Sequence, residues 1–322
     1  MTLRAALARR LGVLRPGALA RSGGMFGAGA APPSTRLSDE AFLRRLERLA
    51  IALQRPPTAG LAGDHRSRRR SEGLEFADYR TYSPGDDFRR IDWKAYGRLG
   101  TLYYRLAEAY DELALHLLVD TSASMNWGVP NKLDYARQLA AALGYLALAR
   151  LDAVAAGALA PGAPRLPLLR GKAQAGRLFA FLDGLPLTDR APLRESLRLY
   201  RRGAMRGVVV LLSDGFFPDG HTGLGELLEA GFQPVLLHLL SPQELEPALT
   251  GDLELVDCES GELVPASLTP ETLSRYRERL RAWCGELESY CVARRIPYIR
   301  LSTAMPLEEA VLGELRRRRL LA

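Results

Sequence analysis

One carboxylate and two hydroxyls stand at alternate positions after the apolar run that starts at Leu113. They belong to Asp120, Ser122 and Ser124. A tight loop can turn such alternating side chains toward one point, where they would offer oxygen ligands to a metal ion. An oxygen-only set of low charge suits Mg²⁺, or the similar Mn²⁺, which retain several waters when bound. The same residue types are common in turns and at helix N-termini, so a purely structural role remains an alternative for this stretch alone.

Two further stretches could complete an oxygen shell. The apolar run Gly207–Ser213 is followed directly by Asp214, and Thr188 precedes a helical pattern at 191–202. In open α/β sheets, ligands bind just outside the C-terminal ends of the strands. If the runs before Asp120 and Asp214 are neighbouring parallel strands, we expect both carboxylates and Thr188 to meet there.

These five positions resemble the metal-ion-dependent adhesion site of the von Willebrand factor A fold. The residues that match it in chain order are Asp120, Ser122, Ser124, Thr188 and Asp214, and order alone places Thr188. The resemblance implies a bound Mg²⁺ or Mn²⁺ with an open coordination position. It also implies that an Asp or Glu of a protein partner takes that position.

A second motif, from Arg80 to Trp93, reads Arg-x-Tyr-x-x-Gly-Asp-Asp-x-Arg-x-Ile-Asp-Trp. Its arginines and aspartates are close enough in sequence to pair, so we expect ion pairs to hold this segment in shape. Together with the Asp-x-Ser-x-Ser-Met stretch, the motif resembles the bacterial family known as domain of unknown function fifty-eight. The similarity runs from about Gly63 to the C-terminus and includes Asp257–Gly261. The resemblance implies pairing with a MoxR-type AAA+ ATPase in chaperone-like maturation of client proteins.

Alternating strand and helix patterns must position these loops. From residue 113 onward, apolar runs alternate with stretches of helical spacing, which is typical of parallel strands buried between helices. We therefore predict a doubly wound α/β domain with a mostly parallel sheet, of the von Willebrand factor A-like type, over residues 113–322. Before it we expect a small accessory lobe over residues 37–112, which includes a short amphipathic helix and the second motif.

The positive charge is concentrated in an N-terminal tail. The chain has a net charge of +7, and residues 1–36 hold six arginines and no acid. This composition predicts a disordered basic tail. An alternative is a basic helix from Leu3 to Leu14 that lies on an anionic membrane surface. Basic and acidic groups nearly balance in the remainder, so we expect no nucleic-acid partner.

The cysteine content indicates a reducing compartment. Cys258, Cys284 and Cys291 are too few, and odd in number, for a disulfide framework. No stretch approaches the roughly 20 apolar residues of a membrane span, although many members of the resembled family carry two membrane helices before the second motif. We expect a cytoplasmic protein.

Two functions fit a metal bound beside Asp120. Aspartyl-phosphate enzymes need a second carboxylate two residues after the nucleophile, and Ser122 occupies that position. The chain also has no Gly-x-x-x-x-Gly-Lys-Ser/Thr phosphate loop. We therefore favour a non-enzymatic, metal-dependent adaptor that binds a partner's carboxylate. The alternative is a metal-dependent phosphohydrolase that uses Asp120.

Overall fold

The computed structural model describes residues 40, 44–48, 76–83, 88, 91–107, 114–150, 152–318 and 320. Contacts divide the chain into a smaller unit, Ala62–Glu112, and a larger unit formed by Met1–Leu61 and Leu113–Ala322. The predicted basic tail, with its lipid-bound alternative, lies outside the described residues. So do Gly85–Asp87, Arg89 and Arg90 of the second motif.

Strands and helices alternate along most of the described chain. The strands are β1 (Phe76–Thr81), β2 (Tyr103–Ala107), β3 (Ala114–Val119), β4 (Ala153–Ala158), β5 (Arg165–Arg170), β6 (Gly207–Ser213), β7 (Gln233–Leu240), β8 (Gly251–Val256), β9 (Leu263–Leu268) and β10 (Tyr298–Ser302). The helices are α1 (Trp93–Leu99), α2 (Lys132–Ala149), α3 (Ala175–Asp183), α4 (Leu193–Tyr200), α5 (Gly223–Glu229), α6 (Pro242–Leu245) and α7 (Pro270–Ala293). Short 3-10 turns occur at Ala123–Met125 and Lys172–Gln174, and Glu309–Leu315 is π-helical.

The larger unit is built on a six-stranded sheet in the order β10-β7-β6-β3-β4-β5. All neighbouring strands are parallel except β5, which runs antiparallel at the edge beside β4. The predicted mostly parallel sheet is therefore confirmed. Because β3 and β6 are direct neighbours, the loops that follow them leave the same edge of the sheet side by side.

Alternating side chains of the strands pack into two separate apolar cores. In β6, Val208, Val210 and Leu212 pack in the core that also contains α2 and α3. The intervening Val209 and Leu211 pack on the opposite face with residues of α4, α5 and α7. Helices thus cover both faces of the sheet, which is why its central strands carry almost uninterrupted apolar sequence.

Helix α2 lies close against the sheet and carries one side chain of the site described below. Its N-terminus is capped by Asn131, whose side chain accepts hydrogen bonds from the backbone N–H groups of Leu133 (2.9 Å) and Asp134 (3.2 Å). Farther along, a Cβ at Gly144 would lie 2.4 Å from the side chain of Leu178 in α3. The glycine permits this close packing of α2 against α3.

The described N-terminal residues 44–48 are helical and belong to the larger unit. Leu46 is fully buried in its apolar core, and Arg45 pairs with Glu308. The sequence pattern assigns this helix to the accessory lobe. In the structure it belongs to the larger unit, because Leu46 contributes apolar area to the core of that unit.

The smaller unit contains an antiparallel pair, β1 and β2, with α1 between them in sequence. Asp92 caps α1: its Oδ1 accepts hydrogen bonds from the backbone N–H groups of Lys94 (2.9 Å) and Ala95 (3.0 Å). The helix ends at Gly100, whose φ of 67° is easily adopted by glycine. Asp92, near the end of the second motif, therefore determines where the chain changes from an extended conformation to helix α1.

Candidate metal centre

Asp120 directly follows β3 and is fixed against β6. Its backbone N–H donates to the carbonyl of Leu212 at 2.9 Å, which continues the parallel ladder. Its Oδ1 accepts hydrogen bonds from the backbone N–H of Ser122 (3.0 Å) and from the hydroxyl of Ser122 (2.7 Å). The loop then enters the 3-10 turn, where the buried side chain of Met125 holds it against the core. The hydrogen bonds of Asp120 and the burial of Met125 together hold this loop in a compact conformation.

The two serine hydroxyls of the loop lie side by side. The Oγ atoms of Ser122 and Ser124 are 3.1 Å apart, and both side chains are buried with Asp120. The structure therefore brings the predicted Asp120, Ser122 and Ser124 together through direct hydrogen bonds. This arrangement groups one carboxylate and two hydroxyls at the C-terminal edge of the sheet.

Ser213 is a member of the cluster that sequence reasoning missed. As the last residue of β6, it donates a hydrogen bond from its Oγ to Asp120 Oδ2 at 2.6 Å, and it accepts one from the backbone N–H of Gly215 at 2.9 Å. The signal was present in the sequence, since a hydroxyl ends an otherwise apolar run. Both carboxylate oxygens of Asp120 consequently accept hydrogen bonds.

Thr188 lies beside the loop but is bonded to a different residue. Its backbone N–H donates to the carbonyl of Thr121 at 2.9 Å, and the two threonine hydroxyl oxygens are also 2.9 Å apart. Thr121 stands between Asp120 and Ser122 in the chain. The structure thus places Thr188 next to the predicted set and pairs its hydroxyl with Thr121.

Asp214 is held by a buried lysine that the sequence did not point to. Its Oδ2 accepts a hydrogen bond from the Nζ of Lys132 at 2.9 Å, and its Oδ1 accepts one from the backbone N–H of Phe216 at 3.3 Å. Lys132 has no exposed surface and also pairs with Glu244. Lysine is almost never fully buried unless its charge is paired, so the sequence alone gives no reason to place it here.

Glu244 is positioned by the N-terminus of α6. Ser241 accepts from the Glu244 backbone N–H at 3.3 Å, and Glu244 Oε2 accepts from the Ser241 backbone N–H at 2.7 Å. This reciprocal pair is a capping box, whose Ser-x-x-Glu spacing is readable in the sequence. The sequence therefore held a signal for α6, although not for its contact with Lys132.

The two strand-end carboxylates have opposite electrostatic environments. Burial, and then the nearby charge of Asp214, raise the pKa of Asp120 to about 6. Burial would also raise the pKa of Asp214, but the charges of Lys132 and Arg190 outweigh it and hold that pKa below its usual value. Within the described part of the chain, the ion pairs at this site go to Asp214 and Glu244 and none goes to Asp120. Among these residues, Asp120 is therefore held by hydrogen bonds rather than by an ion pair.

The donor set fits a hard cation that retains water. Across the described ranges, no three or more His, Cys, Asp or Glu side chains are grouped to hold a metal ion. Protein ligands at this edge would consist of the Asp120 carboxylate and the hydroxyls of Ser122 and Ser124, with Asp214 nearby. Mg²⁺ commonly binds through one or two carboxylates and fills its remaining positions with water.

A carboxylate from a distant hairpin also reaches the loop. The backbone N–H of Ser124 donates to Glu259 Oε1 at 2.8 Å. Glu259 lies in the turn between β8 and β9, next to Cys258. The pKa of the Cys258 thiol is raised to about 12 by burial, and further by the charges of Glu259, Asp257 and Asp214. The turn thus lies within hydrogen-bonding distance of the loop after β3 and within electrostatic reach of Asp214 after β6. The sequence pattern around Asp257 did not reveal either contact.

Comparison with known proteins places the chain in a family. Residues 78–282 match the family described as "Protein of unknown function DUF58", and this range includes both sequence motifs and the β8–β9 turn. Uncharacterized protein Rv1480 of Mycobacterium tuberculosis is 30% identical over 251 residues, which cover 74% of this chain and 78% of that protein. Uncharacterized protein Mb1516 of Mycobacterium bovis matches to the same extent.

Two solved structures show weaker likeness. The conserved hypothetical protein BatB from Bacteroides thetaiotaomicron is 15% identical, with a TM-score of 0.40, over 64% of this chain and 98% of that one. An aerotolerance-related membrane protein from Bacteroides fragilis is also 15% identical, with a TM-score of 0.37, over 64% and 99%. In this chain, no helix among the described residues is both long and apolar enough to cross a membrane. From the matched residues and the identity to its mycobacterial relatives, the chain belongs to the DUF58 family.

Proposed function

We propose that this protein is a non-enzymatic adaptor that binds Mg²⁺ or Mn²⁺ and, through the ion, an Asp or Glu of a protein partner. The ion would be held by Asp120, Ser122 and Ser124, with Asp214 and Thr188 around them. One observation carries the proposal: the buried Asp120 accepts hydrogen bonds from hydroxyls yet has no ion pair within the described chain.

A metal ion meets a physical need of this cluster. A buried carboxylate without a cation is costly, and the charge of Asp214 adds to that cost. Lys132 compensates Asp214, so the uncompensated charge lies at Asp120. An ion bound there with few carboxylates would keep net positive charge, and such an ion attracts an acidic side chain of a partner.

The hydrogen bonds of Asp120 favour binding over catalysis. A nucleophilic carboxylate needs an oxygen with electron density directed at the substrate. Here Oδ1 accepts two hydrogen bonds from Ser122, and Oδ2 accepts one from Ser213. These bonds draw charge from both oxygens, which lowers their nucleophilicity. A metal-dependent phosphohydrolase that uses Asp120 is the competing function.

The same proposal includes inferences about the fold type, the associated ATPase and the cellular location. We infer a von Willebrand factor A-like type, supported by the mostly parallel sheet and by the order of the five candidate residues. We infer a MoxR-type AAA+ ATPase as the associated machine, in maturation of client proteins, supported by the sequence resemblance of the two motifs. We infer a cytoplasmic location from the three cysteines, all of which are free thiols.

Calorimetric titration with Mn²⁺ and Mg²⁺ tests the site. Wild type should bind either ion, whereas Asp120→Asn should not, because it loses the charge of the carboxylate but nearly keeps its shape. Asp252→Asn, at an exposed position of β8, removes the same charge elsewhere and should bind as wild type does. Equal binding by wild type and Asp120→Asn would contradict the proposed site.

Turnover separates the two functions. Wild type should release no phosphate from a panel of phosphomonoesters with Mg²⁺, and a purified MoxR-type ATPase should be retained on the immobilised protein with Mg²⁺ but not with EDTA. Metal-dependent phosphate release that disappears in Asp120→Asn would replace the adaptor with the phosphohydrolase.

A further inference from the structure

Glu259 approaches the metal loop from a part of the chain that is not in the main sheet. Within the described part of the chain, strands β8 and β9 pair only with each other and form a separate two-stranded sheet. Glu259 lies 135 residues after Ser124, yet its Oε1 accepts the Ser124 backbone N–H at 2.8 Å. The hairpin therefore delivers a carboxylate to the cluster as a separate element.

The turn is shaped so that Glu259 points to the loop. Asp257 is buried, and its Oδ1 accepts hydrogen bonds from the backbone N–H groups of Glu259 (2.8 Å) and Ser260 (3.2 Å). The backbone N–H of Gly261, at a φ of 74°, donates to the Asp257 carbonyl at 2.7 Å. These bonds fix the backbone of the turn independently of its contact with Ser124.

The hydrogen bond to Ser124 does not require a negative charge. Any carbonyl or amide oxygen could accept the Ser124 N–H, and an amide would avoid placing another charge near Asp120 and Asp214. A third carboxylate at this edge adds negative charge near Asp120, which has no ion pair among the described residues. An ion at the loop would use this charge, whereas the hydrogen bond to Ser124 does not need it.

We propose that Glu259 is this chain's own acidic group at the metal site, where it supports the ion through its water shell until a partner's carboxylate binds the ion. This inference rests on the proposed metal-dependent function. Glu259 is only partly buried, so an incoming acidic side chain can take its place without unfolding the hairpin. The contact between Glu259 and the metal loop then depends on whether a partner's carboxylate occupies the open coordination position.

Titration with Mn²⁺ alone tests the charge. Glu259→Gln keeps an oxygen that can accept the Ser124 N–H, so its fold and melting temperature should match wild type. Its affinity for Mn²⁺ should fall by roughly 10- to 100-fold, the usual effect of losing an outer partner of a metal site. Glu262→Gln removes the same charge from an exposed position of the same turn and should leave the affinity unchanged.

Chemical rescue tests the substitution of one carboxylate for another. Glu259→Ala should bind Mn²⁺ weakly in potassium chloride and more tightly in potassium acetate of equal ionic strength, because acetate can enter the vacated place. Wild type should show no such gain, since Glu259 already fills it. An acetate effect that is the same in both proteins, or absent from both, would contradict the proposed role of Glu259.

The outcomes also distinguish this inference from the function on which it rests. If wild type fails to bind Mn²⁺, the metal site and the role of Glu259 are both wrong. If wild type binds Mn²⁺, and both Glu259→Gln and Glu262→Gln bind it equally well, the metal site stands and Glu259 serves only as a hydrogen-bond acceptor for Ser124.

Discussion

Two carboxylates at adjacent strand ends differ because, among the described residues, Asp214 alone of the two is paired with an internal cation. Lys132 lies with Asp214 at 2.9 Å and lowers the pKa of that carboxyl, whereas burial beside this pair raises the pKa of Asp120. Lys132 in turn depends on Asp214 and Glu244, because burial alone would lower the pKa of its ammonium. The buried lysine therefore directs any bound metal ion toward Asp120.

Replacing Lys132 should strongly destabilise the larger unit. In Lys132→Met, Asp214 and Glu244 lose the cation between them, and an unpaired buried charge typically costs about 3–5 kcal/mol of unfolding free energy. Urea denaturation measures this loss. The double variant Lys132→Met/Asp214→Asn should recover part of it because one of the stranded charges is gone.

Lys172→Met provides the matched control. Lys172 pairs with Glu47 across a surface where both side chains are more than half exposed, so its removal should leave the unfolding free energy nearly unchanged. Equal losses from Lys132→Met and Lys172→Met would mean that burial does not determine the strength of these pairs.

The pair with Lys132 also makes Asp214→Ala a poor test of metal binding, because that variant leaves the buried ammonium of Lys132 without one of its two carboxylates.

The sequence indicated some members of the cluster and concealed others for a physical reason. Asp120 and Asp214 follow apolar runs, and local pattern alone locates the end of a strand. Lys132 and Glu259 reach the cluster from a helix start and a hairpin turn, so their roles depend on how distant segments pack. No spacing rule relates such residues, and their types are those of ordinary surface positions.

His238 should make the protein sensitive to acid. Burial lowers its pKa from 6.5 to about 3, although the charge of Asp214 opposes the shift. As pH falls below 6.5, the unfolded chain binds a proton that the folded chain does not, so this group removes about 1.4 kcal/mol of stability per pH unit until about pH 3. Asp120 acts in the opposite direction between about pH 6 and 3.8, because its folded pKa is raised.

The difference between wild type and His238→Gln isolates this effect. Glutamine can still hydrogen-bond the hydroxyl of Tyr298, which lies 2.7 Å from His238 Nδ1. Urea denaturation at pH 7, 6 and 5 should show the stability of wild type falling relative to the variant at each step. A constant difference across this range would mean that folding does not lower the pKa of His238.

At the scale of the elements, Asp92 determines where α1 begins. Asp92→Ala removes the acceptor for the backbone N–H groups of Lys94 and Ala95, and loss of such a cap costs about 1 kcal/mol. Asp92→Asn keeps an acceptor oxygen and should retain most of that stability. Amide hydrogen exchange at Lys94 and Ala95 reports the difference directly. If Asp92→Asn lowers the stability as much as Asp92→Ala does, the charge of Asp92 matters more than its capping hydrogen bonds. That outcome would favour the ion pairs that the sequence predicts for this segment.

Elements with a strong apolar signal were predictable, and short ones were not. The apolar runs before Asp120 and Asp214 correspond to β3 and β6 within a residue. By contrast, α1 and α6 bury no side chain, so they show no apolar periodicity. Only their capping residues indicate where these helices begin. Residues Glu309–Leu315 are π-helical, and we have no physical account of that departure from α-helical geometry.

At the scale of the whole molecule, metal binding should appear as a change in global stability. A ligand that binds only the folded state adds about 2.7 kcal/mol when its concentration is 100 times its dissociation constant. Mn²⁺ should therefore raise the urea midpoint of the larger unit, and EDTA should reverse the change. Fluorescence of Trp127 and Trp283 follows this unit once Trp93 of the smaller unit is replaced by Phe.

Asp120→Asn should change stability in opposite directions with and without metal. In EDTA at pH 7 the wild-type carboxylate is ionised against its environment, because its folded pKa is raised, so the neutral variant should be the more stable protein. With saturating Mn²⁺ the order should reverse, since only wild type gains binding energy. A merely structural Asp120 would predict the same order in both conditions, because its hydrogen bonds to Ser122 and Ser213 do not depend on metal. Reversal of the order on adding metal is therefore the measurement that ties this strand-end carboxylate to a bound ion.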